Sequence, residues 1–166
     1  MDLKQLYAWC AVPAEELEGH PELKVPFRLV PDSAAMGRLM AEELVSDVET
    51  ANREGRALRA IIPCGPSCWY KPFEDLVNAR GVSLKNLHVF HMDECLDWEG
   101  RLLHPEGPYN FRSSMEKHFY GGIRPELAVP EAQRHFLSPA TMEEIRAEIH
   151  RLPVDVTYGG WGQDGH

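Results

Sequence analysis

Apolar, β-prone runs alternate with amphipathic helical patterns along most of the chain, and this alternation limits the fold more than any other feature. The run ALRAIIPCG (57–65) lacks the apolar–polar alternation of a strand with one wet face, so it reads as a strand covered on both sides. NLHVFHMDE (86–94), RHFL (134–137) and VDVTYGG (154–160) read as further strands. KVPFRLV (24–30) reads as the first strand, with Pro26 near its start or on an edge. Helices fill the intervals. In 31–55, Met36, Met40, Leu44 and Val48 recur at four-residue steps, Asp32 or Ser33 can cap the start, and Gly55 stands where a C-cap belongs. A second helix, in 67–81, is interrupted or delayed by Pro72 and ended by Gly81. A third covers 108–120, with Pro108 suited to the first turn. In the fourth, 141–152, Thr141 and Glu144 make a capping box, and Met142, Ile145, Ile149 and Leu152 form an apolar stripe.

This order of elements predicts the α/β class: a doubly wound, mainly parallel sheet with helices on both faces. Residues 1–24 read as a polar N-terminal arm with a short helix over LKQLYAW, and residues 25–166 as the α/β domain. No repeat, low-complexity tract or interdomain linker is visible.

The acidic balance narrows the partners. A formal charge of −9 repels polyanions, which argues against nucleic acid and anionic membrane. One small anion can still be held by local amides and helix ends. No apolar run approaches the length of a membrane span, and no signal peptide is recognisable. Cys10, Cys64, Cys68 and Cys95 are irregularly spaced and contain no zinc-type pair; they read as reduced thiols of a cytoplasmic protein. His88 and His91, three apart on a strand, face opposite sides, so no metal site and no cofactor is expected. The four tryptophans read as packing residues. Homo-oligomerisation is left open.

Three strands run directly into unusual polar loops: IIPCGPS, VFHMDE and TYGGWGQDGH. In an open parallel sheet, the loops after the carboxyl ends of the strands share one edge, and ligands bind at that edge. Ser67, Asp93, Asp164 and His166 are therefore expected to converge. Gly65 permits an unusual backbone angle, and Ser67 offers a hydroxyl near a helix start, where free amides can hold a phosphate. An ordinary serine-capped turn would have the same sequence. Asp93 is expected at the sheet edge, partly withdrawn from water, where a carboxylate can act as a general base; a pair of surface acids is the plainer reading. GWGQDG (160–165) matches G-x-G-x-x-G, but the helix and later acid of a dinucleotide site cannot be checked. Asp164 can orient the neighbouring His166 imidazole.

Together these loops resemble the glucosamine-6-phosphate deaminase family, which is related to the 6-phosphogluconolactonases. IIPCGPSCWYKPFEDLV is similar to the family's L-P-T-G-G-T-P phosphate loop, VFHMDECL to F-N-M-D-E-Y, HPEGPYNFRSSMEKHFY to H-P-x-S-Y, and YGGWGQDGH to G-x-G-x-D-G-H. The resemblance covers nearly all of the chain beyond the arm, but only roughly the first two-thirds of a complete family member. The family's next acid after D-G-H, its later basic phosphate ligands and its final strands and helices are not matched. The resemblance implies a Rossmann-like fold and an amino-sugar phosphate substrate. It makes Asp93 the base that moves a proton between C2 and C1, His166 the histidine that assists ring opening, and Asp164 its acidic partner. Cys64, Gly65, Pro66, Ser67 and Glu94 are then expected around the substrate. Pro66 and Ser67 stand where the family has Gly-Thr, which removes one amide donor from the phosphate loop. Lactone hydrolysis, with His166 serving water attack, is the rival chemistry. A sugar-phosphate sensor without turnover is the rival class.

Overall fold

Local capping sets where the helices begin and end. The computed structural model describes residues 2–160. In the arm, Asp2 accepts from the Lys4 amide at the start of α1 (Leu3–Cys10), and α2 (Ala14–Leu17) follows; neither helix buries a residue. The expected strand over 24–30 does not form. Val25 and Leu29 stay largely exposed there, Pro26 cannot donate to a ladder, and no neighbouring strand pairs with the segment among the described residues. α3 (Ser33–Glu54) starts where the Asp32 carboxylate accepts from the Ala35 amide, and it ends at Gly55, whose φ of 68° is the left-handed C-cap conformation.

The remaining elements alternate as the pattern requires. β1 (Leu58–Ile62) leads through a 3-10 turn (Ser67–Trp69) into α4 (Tyr70–Arg80), which Gly81 ends at φ 64°. β2 (Leu87–His91) is followed by a long loop, then α5 (Phe111–Met115), which continues as a π turn (Glu116–Tyr120). The helix expected over 108–120 is therefore shorter and changes pitch. Asn110, not Pro108, stands at its start, and the Asn110 side chain accepts from the Ser113 amide. β3 spans only Arg134–His135 of the expected RHFL strand. α6 (Met142–Arg151) and β4 (Val156–Thr157) complete the described chain. The expected Thr141 capping box is absent. Thr141 sits at φ −105°, ψ −9°, and its hydroxyl donates to the Phe136 carbonyl, while Ser138 receives the Thr141 amide.

The sheet has four parallel strands among the described residues, in the order β3-β2-β1-β4. Leu58 pairs with Leu87 and Ile62 with His91, while Ala60 faces Val89 on one side and Val156 on the other. Leu58, Ala60, Ile62, Leu87 and Val89 point into one core with α3, α4 and the π turn, where Phe73 and Phe119 stack at 5.0 Å. Burial of each such large side chain stabilises the fold by about 1.5–3 kcal/mol. The alternate residues Arg59, His88 and Phe90 belong to the opposite face, under α6. The strand order reverses between β1 and β4, and the helices change faces there. This is a doubly wound, Rossmann-like α/β fold, and its switch point lies between the carboxyl ends of β1 and β4.

Arg59 is the exception to an apolar interior. It is 5% exposed. Its guanidinium donates to the Glu148 carboxylate (3.0 Å) and to the carbonyls of Glu148 and Pro153 near the end of α6. It also lies 4.8 Å from the centre of the Phe90 ring.

Candidate functional site

The loop leaving β1 is shaped by its own residues. Gly65 has φ 118°, which a side chain would strain, and the Gly65–Pro66 peptide is cis. Ser67 opens the 3-10 turn but does not cap it; Pro66 holds the N-cap position, with no side-chain hydrogen bond there. The Ser67 hydroxyl is thus not committed to a cap, contrary to the serine-capped reading. The turn is seated on α3 at Gly37, where a built Cβ would overlap the Cys68 carbonyl oxygen. Trp69 anchors it from below, fully buried and stacked on Tyr158, the residue just past β4, at 5.7 Å. This stack brings the start of the last loop beside the turn.

The β2 loop begins one residue past the ladder, where the Met92 amide donates to the Ile62 carbonyl at 3.0 Å. Asp93 follows and is exposed, so the expectation that it is partly withdrawn from water does not hold. Glu94 is half-buried and committed. One carboxylate oxygen accepts from the Phe111 amide (2.7 Å) and from its neighbour Cys95 (3.0 Å); the other accepts from Arg112 (2.8 Å). Glu94 therefore joins the β2 loop to the start of α5, with three backbone amides on its carboxylate. Asp97 tightens the next turn by accepting from the amides of Glu99 and Arg101 and from the Arg101 guanidinium.

The two loops meet at the Cys64 thiol. It sits against Ser114 and Tyr70, within the field of Asp93 and Glu94; burial pushes its pKa up, and the two carboxylates add to that shift. Burial likewise pushes the Tyr70 hydroxyl up. The structure thus groups Cys64, Gly65, Asp93 and Glu94, with Ser67 on the adjoining turn. Asp164 and His166 lie outside the described residues. Sequence reasoning missed Tyr70 and Ser114. Both sit on helices that the sequence marked only by their start and stop residues.

A cavity of about 610 Å³ opens between α4 and the α5–π segment, lined by Ser67, Tyr70, Lys71, Ser114, Lys117 and His118, with Glu74 and Gly122 at its back. Glu74 is buried there and accepts from the Gly122 amide at 2.8 Å. The histidines of β2 do face opposite sides: His88 contacts His135 (3.3 Å), and His91 contacts the Tyr120 hydroxyl (3.0 Å). No cluster of three or more histidine, cysteine or acidic side chains suited to a metal occurs among the described residues. No described helix is long and apolar enough to cross a membrane. Trp69 fits the packing role expected of the tryptophans, whereas Trp98 is 90% exposed on the β2 loop.

No protein-family model matches the chain, and no curated protein matches it by sequence. Among solved structures, the fold is similar to a monomeric glucosamine-6-phosphate deaminase described as a missing link of the NagB superfamily. The TM-score is 0.58 at 18% identity, and the match covers 82% of this chain and 55% of that one. The likeness is one of fold, and the matched region is about half the length of that neighbour.

Proposed function

We propose that this chain carries the proton-transfer part of an amino-sugar phosphate deaminase or isomerase of the NagB-like fold. The observation that carries the reading is the meeting of the β1 and β2 loops at the carboxyl edge of the sheet, with Asp93 acting on Cys64 and Tyr70 and the free Ser67 hydroxyl on the adjoining turn. The fold neighbour, itself a glucosamine-6-phosphate deaminase, supports the substrate class.

In this reading the open-chain sugar lies across the strand ends. Asp93 removes the proton from C2 and returns it to C1, converting the aldose to the ketose level; its exposure leaves it reachable by substrate. With an amino group at C2, the product is an imine, which water hydrolyses to the ketose and ammonia. His166, oriented by Asp164, assists ring opening. Glu94 holds the loop that presents Asp93, as a positioning residue. Positioning of this kind lowers the barrier by fixing the reacting carbon near the base. The setting is cytoplasmic, where such phosphorylated sugars are consumed.

The test is hydrogen exchange at C2 of glucosamine 6-phosphate in heavy water, run with this chain and with a form extended beyond His166. Exchange is expected in the extended form, and Asp93→Asn is expected to lower its rate by about 100-fold or more. Undiminished exchange in Asp93→Asn would remove Asp93 as the base, and release of acid from a 6-phosphogluconolactone without C2 exchange would favour the lactonase chemistry.

A further inference from the structure

The long loop between β2 and α5 carries a small hairpin that presents an aromatic side chain to solvent. Leu96 and Leu102 form an antiparallel bridge, and Trp98 stands on the turn between them, 90% exposed. The turn is firmly built. The Asp97 amide donates to the Arg101 carbonyl at 2.8 Å, the Asp97 carboxylate accepts from the amides of Glu99 and Arg101, and Gly100 takes a left-handed conformation at φ 77°. None of these bonds gives the indole any cover. We propose that the hairpin is a self-association surface: in a two-fold dimer, Trp98 of each copy enters a cleft on the other.

The cleft lies beside the hairpin. It encloses about 1010 Å³, its walls are largely apolar and include Leu102, Leu103 and Pro105, and Arg112 and Lys117 border it. Both cations are exposed, and neither pairs with a carboxylate among the described residues. Arg112 lies over the Phe136 ring instead, and Glu116, the acid on the cleft wall, answers Arg134. The hairpin is the complement: its turn, DWEGR (97–101), sets two acids and one base around the indole. A charge of −9 on each copy holds two copies apart over most of their surface, so the face with unpaired cations is where an acidic turn can approach. Leu102 belongs to both features, since it pairs with Leu96 at the base of the hairpin and lines the cleft. Knob and cleft therefore sit side by side, and a two-fold axis near Leu102 exchanges them reciprocally, as an isologous interface requires. A tryptophan at the centre with charges at the rim is the usual anatomy of an interface hot spot. The fixed turn has little freedom to lose on binding. One hairpin and one cleft from each copy make a small interface, so a micromolar dimer is expected.

The experiment is analytical ultracentrifugation of the 166-residue chain over a range of concentrations, with its variants. A monomer–dimer equilibrium is expected for the wild-type chain. Trp98→Ala is expected to raise the dissociation constant at least about 100-fold, because two symmetric contacts worth about tenfold each are lost. Trp98 is too exposed for the fold to depend on it, and circular dichroism verifies that. Glu99→Lys and Lys117→Glu each put like charges into both knob–cleft contacts, and each is expected to weaken its homodimer about tenfold. Mixed in equal amounts, these two variants are expected to form a heterodimer within about threefold of wild-type affinity, because both contacts regain opposite charges. Damage to either fold could not produce that recovery. A chain that stays monomeric at every concentration, a dimer indifferent to Trp98→Ala, or a mixture that fails to recover overturns the proposal. So does a dimer that is lost in the form extended beyond His166, which would mean that later residues occupy the cleft.

Discussion

At the scale of single residues, Glu94 shows how one carboxylate can tie a loop to the start of a helix. Its carboxylate holds the amides of Phe111 and Arg112 across the loop that follows Asp93. Glu94→Gln keeps the shape but gives up the charge on those bonds and turns one acceptor into a donor facing amides. It is expected to destabilise the fold by about 1–3 kcal/mol in urea unfolding. If Asp93 is the base as proposed, Glu94→Gln in the form extended beyond His166 should lower kcat more than it raises KM; a pure KM effect would place Glu94 on the substrate instead. This role was illegible in the sequence. Two adjacent acids at a strand end look the same whether they face water, substrate or a helix start, and the helix start in question lies 17 residues on. Asp32, Gly55 and Gly81 were legible for the opposite reason: each cap acts within a few residues of itself.

Elements are positioned by contacts that only small residues allow. Gly37 lies inside α3, where glycine weakens a helix by about 1 kcal/mol relative to alanine. Its compensation is the close seat of the 3-10 turn, since a Cβ there would overlap the Cys68 carbonyl. Gly37→Ala is therefore expected to lower stability by about 1–3 kcal/mol despite the better helix propensity, measured by urea unfolding. A more stable protein would contradict this account. The strand at 24–30 failed at this scale. Its residues have β propensity, but propensity without a neighbouring strand forms no ladder. α6 was found from its period, yet Met142 and Leu152 of its apolar stripe stay largely exposed, and only Ile145 is fully buried. Periodicity reports which face is apolar and cannot say what covers it.

Across the whole molecule, three histidines around the β2–β3 edge are held uncharged. His91 is pushed down to about 3, chiefly by burial and then by His135, Arg134 and Arg112; burial also lowers His88 and His135, His88 adds to the shift of His135, and Arg59 acts on both. Below pH about 6.5 the unfolded chain takes up protons that the folded chain refuses, so stability is complete above that value and declines as the pH falls toward 3. His91 alone should remove up to about 1.4 kcal/mol for each unit of pH below 6.5. Urea unfolding at pH 7 and pH 5 is expected to show this loss, and His91→Phe should flatten the slope; an unchanged slope would mean that His91 does not carry it. The α/β class was readable at this scale because alternation of elements is a global pattern. The polar layer under α6 was not, since Arg59 is a single charge in an apolar strand and its partners come about 90 residues later.

Those distant partners bear on the order of assembly. The Asp155 carboxylate accepts from the Arg59 amide at 2.8 Å and from the Arg56 guanidinium at 3.3 Å, a span of 96 residues in the first case. The Arg59 guanidinium meanwhile reaches the Pro153 carbonyl and Glu148. β1 thus presents a ready clasp on its free edge to a strand synthesised much later. Closing so long a loop is entropically costly in an open chain and cheaper once α3, α4 and the π turn have condensed around β1 and β2. As the chain leaves the ribosome, the wall made by α4 and the α5–π segment can therefore form first. The crevice between β1 and β4 becomes a crevice only when the clasp engages, so the site closes late, with docking of the last described strand.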